Sequence, residues 1–404
     1  MTESDILDSR YSWMRLGATL AIAVIGNVGM WAIIVIMPAV QAEFGIARAD
    51  ASLPYTLTMV GFALGNLVIG RAVDRWGITT ALIGAALTIA AGFGLAAVSG
   101  SVLVLSAMHF IIGFGTAASF GPLIADISHW FYRRRGIAVA IAASGNYLSG
   151  AIWPMLLAGI LNDLGWRAVY TVLAVVPVLL ILPLSLLLRR RVPEAATAHA
   201  TRMSAANAKS VSFSPTALQW MLGVAGVGCC VAMAMPQVHI VSMSVDLGYG
   251  AAGGAQILAV MLVGGLISRL AFGVVADRLG GIPTLLISSS LQCLALFLYL
   301  PFDSYAALMA VSLVFGLSQG GIVPCYAIIV REYFPAREAG SRIGVVIRAT
   351  IVGMAVGGYA SGLIRDLTGS YDMAFLHGIF WNAVNIAVMT AVLLSSRPRA
   401  PAAA

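Results

Sequence analysis

The sequence predicts an all-α membrane protein in which twelve transmembrane helices form two pseudo-symmetric six-helix bundles. Composition, the spacing of apolar segments and an internal repeat support this prediction. Of the 404 residues, 60% are hydrophobic and only 10% are charged, and the mean hydropathy is +0.95. Because soluble domains carry about 25% charged residues, this composition indicates a chain that lies mostly within lipid.

Twelve apolar segments are long enough to cross a bilayer as helices. We number these predicted spans α1 to α12 in chain order: 17–41, 51–73, 79–98, 102–125, 136–160, 168–188, 216–242, 252–276, 283–301, 305–330, 343–364 and 373–395. A long polar stretch separates α6 from α7. It divides the chain into an N-terminal bundle (1–188), a linker (189–215) and a C-terminal bundle (216–404).

The distribution of arginine predicts the orientation. With the N-terminus in the cytoplasm, most loop arginines lie inside, and only Arg48, Arg167 and Arg365 lie outside. The positive-inside rule therefore places both termini in the cytoplasm, and we expect a multi-pass protein of the cell inner membrane. The charged N-terminal residues precede an apolar run too long for a signal peptide, so we expect the N-terminus to be retained.

Several function classes are disfavoured by the sequence. A net charge of +7 could suggest a nucleic-acid partner, but the arginines occupy short loops between apolar spans. The four cysteines lack metal-ligand spacing, and neither a phosphate-binding loop nor a Ser/His/Asp set is present. We expect no nucleic acid, no metal, no cofactor and no enzyme activity.

An internal repeat relates the two halves. The loops after α2 and α8 share the pattern G-x-x-x-D-R-x-G, formed by Gly70, Asp74, Arg75 and Gly77 in the first copy and by Gly273, Asp277, Arg278 and Gly280 in the second. The two halves are therefore expected to be parallel structural copies related by an axis along the membrane normal. We therefore expect a substrate path between the bundles.

This repeated loop resembles the signature of the major facilitator superfamily, and the resemblance covers the whole chain. It implies secondary transport by alternating access. Each loop aspartate, Asp74 or Asp277, would end a helix where it can pair with an arginine or a helix N-terminus, and so latch the cytoplasmic side. The alternative is that both are simple interfacial charges.

A narrower resemblance lies at the start of α5 and the end of α7. The stretch HWFYRRRGIAVAIAASG, 129–145, is similar to the W-F-x-x-[KR]-R-x-x-A-x-G-x-x-x-[AS]-G pattern of monocarboxylate transporters and of the oxalate:formate antiporter. The stretch PQVHIVSMSVDLG, 236–248, resembles the corresponding segment of bacterial members. This likeness implies a carboxylate substrate.

Arg269 lies alone within the apolar α8, in the run GGLISRLAFGVVADRLG. A charged side chain at the bilayer centre costs roughly 2.5 to 3.5 kcal/mol, so its presence needs a reason. The resemblance implies that Arg269 binds the substrate carboxylate, which a planar guanidinium can hold with two hydrogen bonds. The alternative is an arginine that snorkels or donates to backbone carbonyls.

Other candidates are less specific. Arg348 in α11 is a candidate second anchor, unless its side chain snorkels outward. Proton-coupled relatives often carry an aspartate one turn before the α8 arginine, but here that position is Gly265. Further candidate substrate contacts are Asn27, Trp31, Tyr147 and His239, although helix packing explains such residues equally well.

The sequence thus predicts secondary active transport of a small organic anion, a mono- or dicarboxylate, by anion exchange or proton-coupled symport. The expected partners are that anion, protons or a counter-anion, and the lipid bilayer, and we expect a monomer. The alternative is efflux of an amphipathic compound or drug by the same fold. The lack of a mid-membrane carboxylate argues against cationic drugs.

Overall fold

The structure is a computed structural model that describes residues 7–131, 134–190, 210–211 and 213–397, and it confirms the all-α fold. Twelve helices are long and apolar enough to cross a membrane. In order, α1 to α12 span Arg10–Phe44, Arg48–Trp76, Ile78–Ala97, Val102–Ser128, Arg135–Leu164, Trp166–Leu186, Pro215–Asp246, Gly250–Leu279, Gly281–Leu298, Tyr305–Tyr333, Ala336–Thr368 and Asp372–Ser395. A short antiparallel pair joins β1 (Ser210–Val211) to β2 (Ser396–Arg397).

Most helices extend beyond the apolar segments from which they are predicted. The first helix, for example, begins at Arg10 and runs to Phe44, although its continuous apolar run covers only 17–41. Hydropathy marks the part of a helix that suits lipid, whereas backbone hydrogen bonding continues through polar turns at either end.

Three spans are interrupted within the bundle. Helix α1 breaks at Asn27, α4 passes through the 3-10 turn Ala117–Ser119, and α10 breaks between Gln319 and Ile322. The Asn27 amide donates to the carbonyls of Ala23 in its own helix at 2.7 Å and of Ser119 in the 3-10 turn at 3.1 Å, so it joins the break in α1 to the break in α4. Because α4 and α10 are equivalent in the two halves, the repeat extends to the backbone.

The two copies of the repeated loop have the same backbone conformation. Gly77 has φ +85° and ψ 162°, and Gly280 has φ +84° and ψ 174°. These angles lie where L side chains are strained, so each copy requires glycine as the single residue between two helices. The sequence repeat is thus a structural repeat.

The two ends of the molecule differ in charge. We call the end that carries the repeated loops, with Arg75 and Arg278, the basic face, and the end that carries Arg48, Arg167 and Arg365 the far face. The terms apply to the described residues only. They serve to locate the contacts that join the two bundles.

An ionic cluster joins the bundles at the far face. Arg48, at the start of α2, donates to Asp246 at the end of α7 at 2.9 Å, and Arg365 of α11 reaches the same carboxylate at 3.3 Å. Asp366 accepts hydrogen bonds from the backbone N–H groups of Arg48 at 3.0 Å and Ala49 at 2.7 Å, so the C-terminal bundle caps a helix of the N-terminal bundle.

Close helix contacts lie beneath this cluster. A Cβ at Gly358 would lie 2.9 Å from the Tyr55 ring, and a Cβ at Gly362 would lie 3.1 Å from the Ala49 backbone, so α11 approaches α2 more closely than larger residues allow. The far half of the interface is therefore tightly packed.

At the basic face the loop aspartates have no such contacts. Asp74 and Asp277 are both exposed, and neither forms an ion pair with any residue that the structure describes. The bundles are thus joined by charge at the far face and not by these loops at the basic face.

We expect Asp246→Ala to loosen the far face, because it leaves Arg48 and Arg365 facing each other without their shared carboxylate. With Asp246 partly exposed, the loss is roughly 1 to 3 kcal/mol, enough to raise the far-face-open population about fivefold or more. A cysteine at the buried Ala355, which accepts from Thr56 across the α2–α11 contact, would report this as faster labelling by a membrane-impermeant maleimide.

Arg167→Ala is the matched control, since Arg167 pairs with Glu43 at the same face but within one bundle. Its labelling rate should match that of the parent. Equal rates for Asp246→Ala and the parent would show that the ionic cluster does not hold this face closed.

Candidate functional site

Arg269 reaches from one bundle to the other. Its Nη1 donates to the backbone carbonyl of Ala143 in α5 at 2.7 Å, and its guanidinium lies 4.3 Å from the centre of the Tyr147 ring. Its Nε–H is buried with no hydrogen-bond acceptor among the described residues. The side chain thus has one neutral backbone acceptor, one aromatic face and unused donors.

Arg269 differs from the other buried arginines of the described chain, Arg15 and Arg48, in having no counter-charge. The exposed fraction is 0% for Arg15, 4% for Arg48 and 9% for Arg269. Arg15 pairs with Asp126 at 2.8 Å and Arg48 pairs with Asp246 at 2.9 Å. Arg269 has no carboxylate partner among the residues that the structure describes. Since an unpaired buried charge is costly, this position suits an anion that arrives from outside the protein.

Small residues bring α8 close enough to its neighbours to position Arg269. The Ser268 hydroxyl accepts a hydrogen bond from the Gly320 N–H at 3.2 Å, at the break in α10. A Cβ at Gly320 would lie 2.5 Å from the backbone nitrogen of Arg269, and a Cβ at Gly265 would lie 3.2 Å from the Tyr147 ring. Helix α8 is therefore held between α10 and α5 at the level of the arginine.

Of the predicted contacts, Tyr147 lies beside this arginine, and Trp31 lies about two helical turns farther along α5 and α8. The Tyr147 ring faces the guanidinium, as described above. The Trp31 ring covers Gly150, where a Cβ would meet its ring atoms and the side chain of Leu262 in α8. Its indole N–H donates to the Asn146 side chain at 3.2 Å. Helices α1, α5 and α8 thus converge at Trp31, and Asn146, which the sequence did not single out, joins α5 to α1 there.

Arg348 is exposed and makes no hydrogen bond with any described residue. It shares a helical stripe of α11 with Ala355, whose carbonyl accepts from Thr56 of α2, and with Gly362, which packs against Ala49. Residues seven apart on a helix lie on the same side. Arg348 therefore lies on the side of α11 that faces the N-terminal bundle, toward the basic face.

Asn27 and His239 lie elsewhere. Asn27 is fully buried within the N-terminal bundle, where its amide donates to carbonyls of α1 and α4. The His239 Nε2 lies 2.7 Å from the carbonyl of Gly358 of α11, and its ring packs near Tyr371, close to the far face. The structure does not bring these two side chains together with Arg269.

The repeated-loop residues lie at the basic face. A Cβ at Gly70 or Gly273 would meet open space, and Arg75 lies over the Trp76 ring. A cavity of about 770 Å³ opens beside Asp74 within the N-terminal bundle, also lined by Asp126 and His129. Burial and the nearby Arg135 lower the pKa of His129. This cavity does not include Arg269.

The arrangement can bind an anion between two helix bundles. No group of three or more His, Cys, Asp or Glu side chains suited to a metal occurs in the part of the chain that the structure describes. Twelve apolar helices in two repeated halves, joined at one face and holding an unpaired cation between them, are the architecture of a membrane transporter built from two repeats.

The family follows from comparison with known proteins. The sequence-family model of the Major Facilitator Superfamily matches residues 19–302 and 220–404, and the chain belongs to this superfamily. Its members are transporters and not enzymes, so the chain is a multi-pass membrane transporter with a small-molecule substrate.

Curated relatives and a solved structure agree with this assignment. The chain is 26% identical to human monocarboxylate transporter 11 over 91% of this chain and 80% of that protein. It is 25% identical to the MFS-type transporter pynF of Aspergillus niger over 74% of this chain and 69% of that protein. A bacterial homolog of the human lysosomal transporter Spinster, in an inward-facing and occupied conformation, matches with a TM-score of 0.76 at 13% identity, covering 98% of this chain and all of that one.

We expect Gly320→Ala to destabilise the site, because the added methyl group would press on the backbone of α8 at Arg269. Overpacking of this kind costs roughly 1–3 kcal/mol. The thermal unfolding midpoint in detergent should fall by a few degrees. Gly273→Ala is the control on α8, since its methyl group meets open space and a helical alanine is favoured over glycine. Equal losses for the two variants would contradict the close α8–α10 contact.

Proposed function

We propose that the protein transports a small organic anion, a mono- or dicarboxylate, by alternating access, with Arg269 as its principal anchor. One observation carries this proposal. Arg269 is the buried arginine that has no carboxylate partner among the described residues, and its Nε–H has no acceptor. A carboxylate supplies the missing charge and accepts two guanidinium hydrogen bonds at once.

The likeness to monocarboxylate transporters supports the same substrate class. Transport of a cationic compound would place a second positive charge beside Arg269, which the low-dielectric interior makes unfavourable. Efflux of a neutral amphipathic compound leaves the arginine without a role.

We propose that the coupling mode is anion exchange. A carrier that closes around an empty site buries the charge of Arg269 without compensation, whereas one that closes around an anion buries a neutral pair. Gly265, the position at which proton-coupled members of the resembling family often carry an aspartate, lies against the Tyr147 ring, so a side chain there would meet that ring. Both points favour a cycle in which the transporter changes conformation only when loaded.

We further propose that the basic face is cytoplasmic and that this conformation opens inward. The loop arginines gather at that face, as the positive-inside rule requires of the cytoplasmic side. Asp74 and Asp277 are unlatched and exposed, and the far face carries the ionic cluster. This assignment corresponds to a multi-pass protein of the cell inner membrane, with bundles at 1–188 and 216–404 joined by the linker.

We expect Arg269→Gln to abolish most anion transport, because glutamine can still donate to the Ala143 carbonyl but carries no charge. Loss of a charge-assisted pair weakens binding by about tenfold or more. The measurement is uptake of labelled acetate, lactate, pyruvate, oxalate and succinate into proteoliposomes, with unlabelled anion inside or with a proton gradient imposed. Exchange predicts dependence on the internal anion.

Arg167→Ala, an exposed arginine at the far face, is the control and should transport as the parent does. Folding of Arg269→Gln is checked by its unfolding midpoint. The proposal fails if no carboxylate is carried, or if folded Arg269→Gln transports at the parent rate. Uptake that follows the proton gradient alone would replace exchange with symport.

We expect Arg348→Gln to weaken the binding of dicarboxylates more than that of monocarboxylates, because Arg348 lies on the stripe of α11 that faces the N-terminal bundle. Half-saturation by oxalate or succinate should rise about tenfold, whereas that by acetate should change less than about twofold. The same exchange assay measures both. Equal effects on both classes, or none on either, would show that Arg348 is not a second carboxylate anchor.

A further inference from the structure

The indole of Trp31 and the side chain of Asn146 form a polar contact within the α1–α5–α8 junction. The Trp31 Nε1 lies 3.2 Å from the Asn146 Oδ1. Trp31 is buried, with its ring against Gly150, whereas Asn146 is only half-buried. A buried ring thus holds one end of a partly accessible amide.

This contact determines how the amide is oriented. An indole N–H is only a donor, so the atom of Asn146 that faces it must be the carbonyl oxygen. The Nδ2 group therefore points away from Trp31, and it makes no hydrogen bond with any residue that the structure describes. Two N–H donors are left available for another acceptor.

Asn146 also has a defined position relative to Arg269. Asn146 is three residues from Ala143, whose carbonyl accepts a hydrogen bond from the Arg269 guanidinium. It is adjacent to Tyr147, whose ring faces the same guanidinium. Residues three apart lie on neighbouring parts of one helix face, about 4.5 Å apart along the axis. Gly145 and Trp153 of the same helix pack on α1, through Ala23 and Val24. Asn146 therefore lies between the α1-facing and α8-facing sides of α5.

We propose that Asn146 is a specificity-determining residue whose amide donates a hydrogen bond to an acceptor oxygen next to the substrate carboxylate, with Trp31 as its positioning residue. The inference rests on the proposed function, since it assumes that Arg269 binds the carboxylate. It predicts that a carbonyl or hydroxyl oxygen on the adjacent carbon is recognised and that a methylene in the same place leaves the amide unpaired. The site therefore discriminates between acids of equal length.

Pyruvate and propionate test this inference, because they differ chiefly by a carbonyl in place of a methylene. Binding of each acid to the purified full-length protein in detergent is measured by calorimetry. The parent protein should bind pyruvate about five- to tenfold more tightly than propionate, the range expected for one neutral hydrogen bond. Asn146→Ala should bind the two acids equally.

Trp31→Phe keeps an aromatic ring over Gly150 but removes the indole N–H. The amide of Asn146 is then free to rotate, and the preference for pyruvate over propionate should fall by about half on a logarithmic scale. A purely structural role for Trp31 would instead weaken both acids together.

The outcomes separate the two proposals. If the parent protein binds both acids through Arg269 but with equal affinity, or if Asn146→Ala weakens both equally, the role of Asn146 is overturned and carboxylate transport stands. If neither acid nor any other carboxylate of the panel binds, the proposed function fails and the inference fails with it. Unequal binding that Asn146→Ala leaves intact assigns the discrimination to another residue.

Discussion

The positive charge of Arg269 is the constraint on which the site depends. In lipid-buried protein a guanidinium needs a counter-charge, and the described residues supply one for Arg15 and for Arg48 but only a carbonyl and an aromatic ring for Arg269. The paired arginines hold helices together, the first within one bundle and the second between the two. The unpaired arginine leaves donors for a ligand, so under the proposed function the same residue type has a structural role twice and a binding role once.

The internal repeat makes the departure from symmetry informative. Backbone features repeat closely, including the positive-φ glycines Gly77 and Gly280 and the interruptions of α4 and α10. The position in α2 equivalent to Arg269 is Asn66, whose amide donates to the Phe62 carbonyl of its own helix at 2.8 Å. A neutral side chain is thus satisfied locally, whereas the arginine reaches the opposite bundle. One anion needs one such anchor, so the asymmetry is consistent with a single central site.

The fold was predictable from sequence because bilayer thickness and loop charge act on local composition. Twelve spans, the repeat and the unusual position of Arg269 all follow from patterns along the chain. The partners of side chains did not follow, because they depend on how helices cross. Nothing local reveals that Asn27 faces the break in α4, that His239 donates to the Gly358 carbonyl near the far face, or that Asn146 meets Trp31. A lone polar residue in a span has the same appearance in sequence whether it packs or binds.

The geometry also indicates how binding and conformational change are linked under the proposed function. At the far face, charge joins the bundles through several groups, with Asp246 shared by two arginines and Asp366 capping α2. At the level of Arg269, the bundles are joined by the hydrogen bond that its guanidinium donates to the Ala143 carbonyl. A substrate carboxylate competes with that carbonyl for the guanidinium, and a charged acceptor is the stronger one. Occupancy therefore weakens an inter-bundle contact at the site while it neutralises the buried charge, and both effects favour movement of the loaded carrier over the empty one.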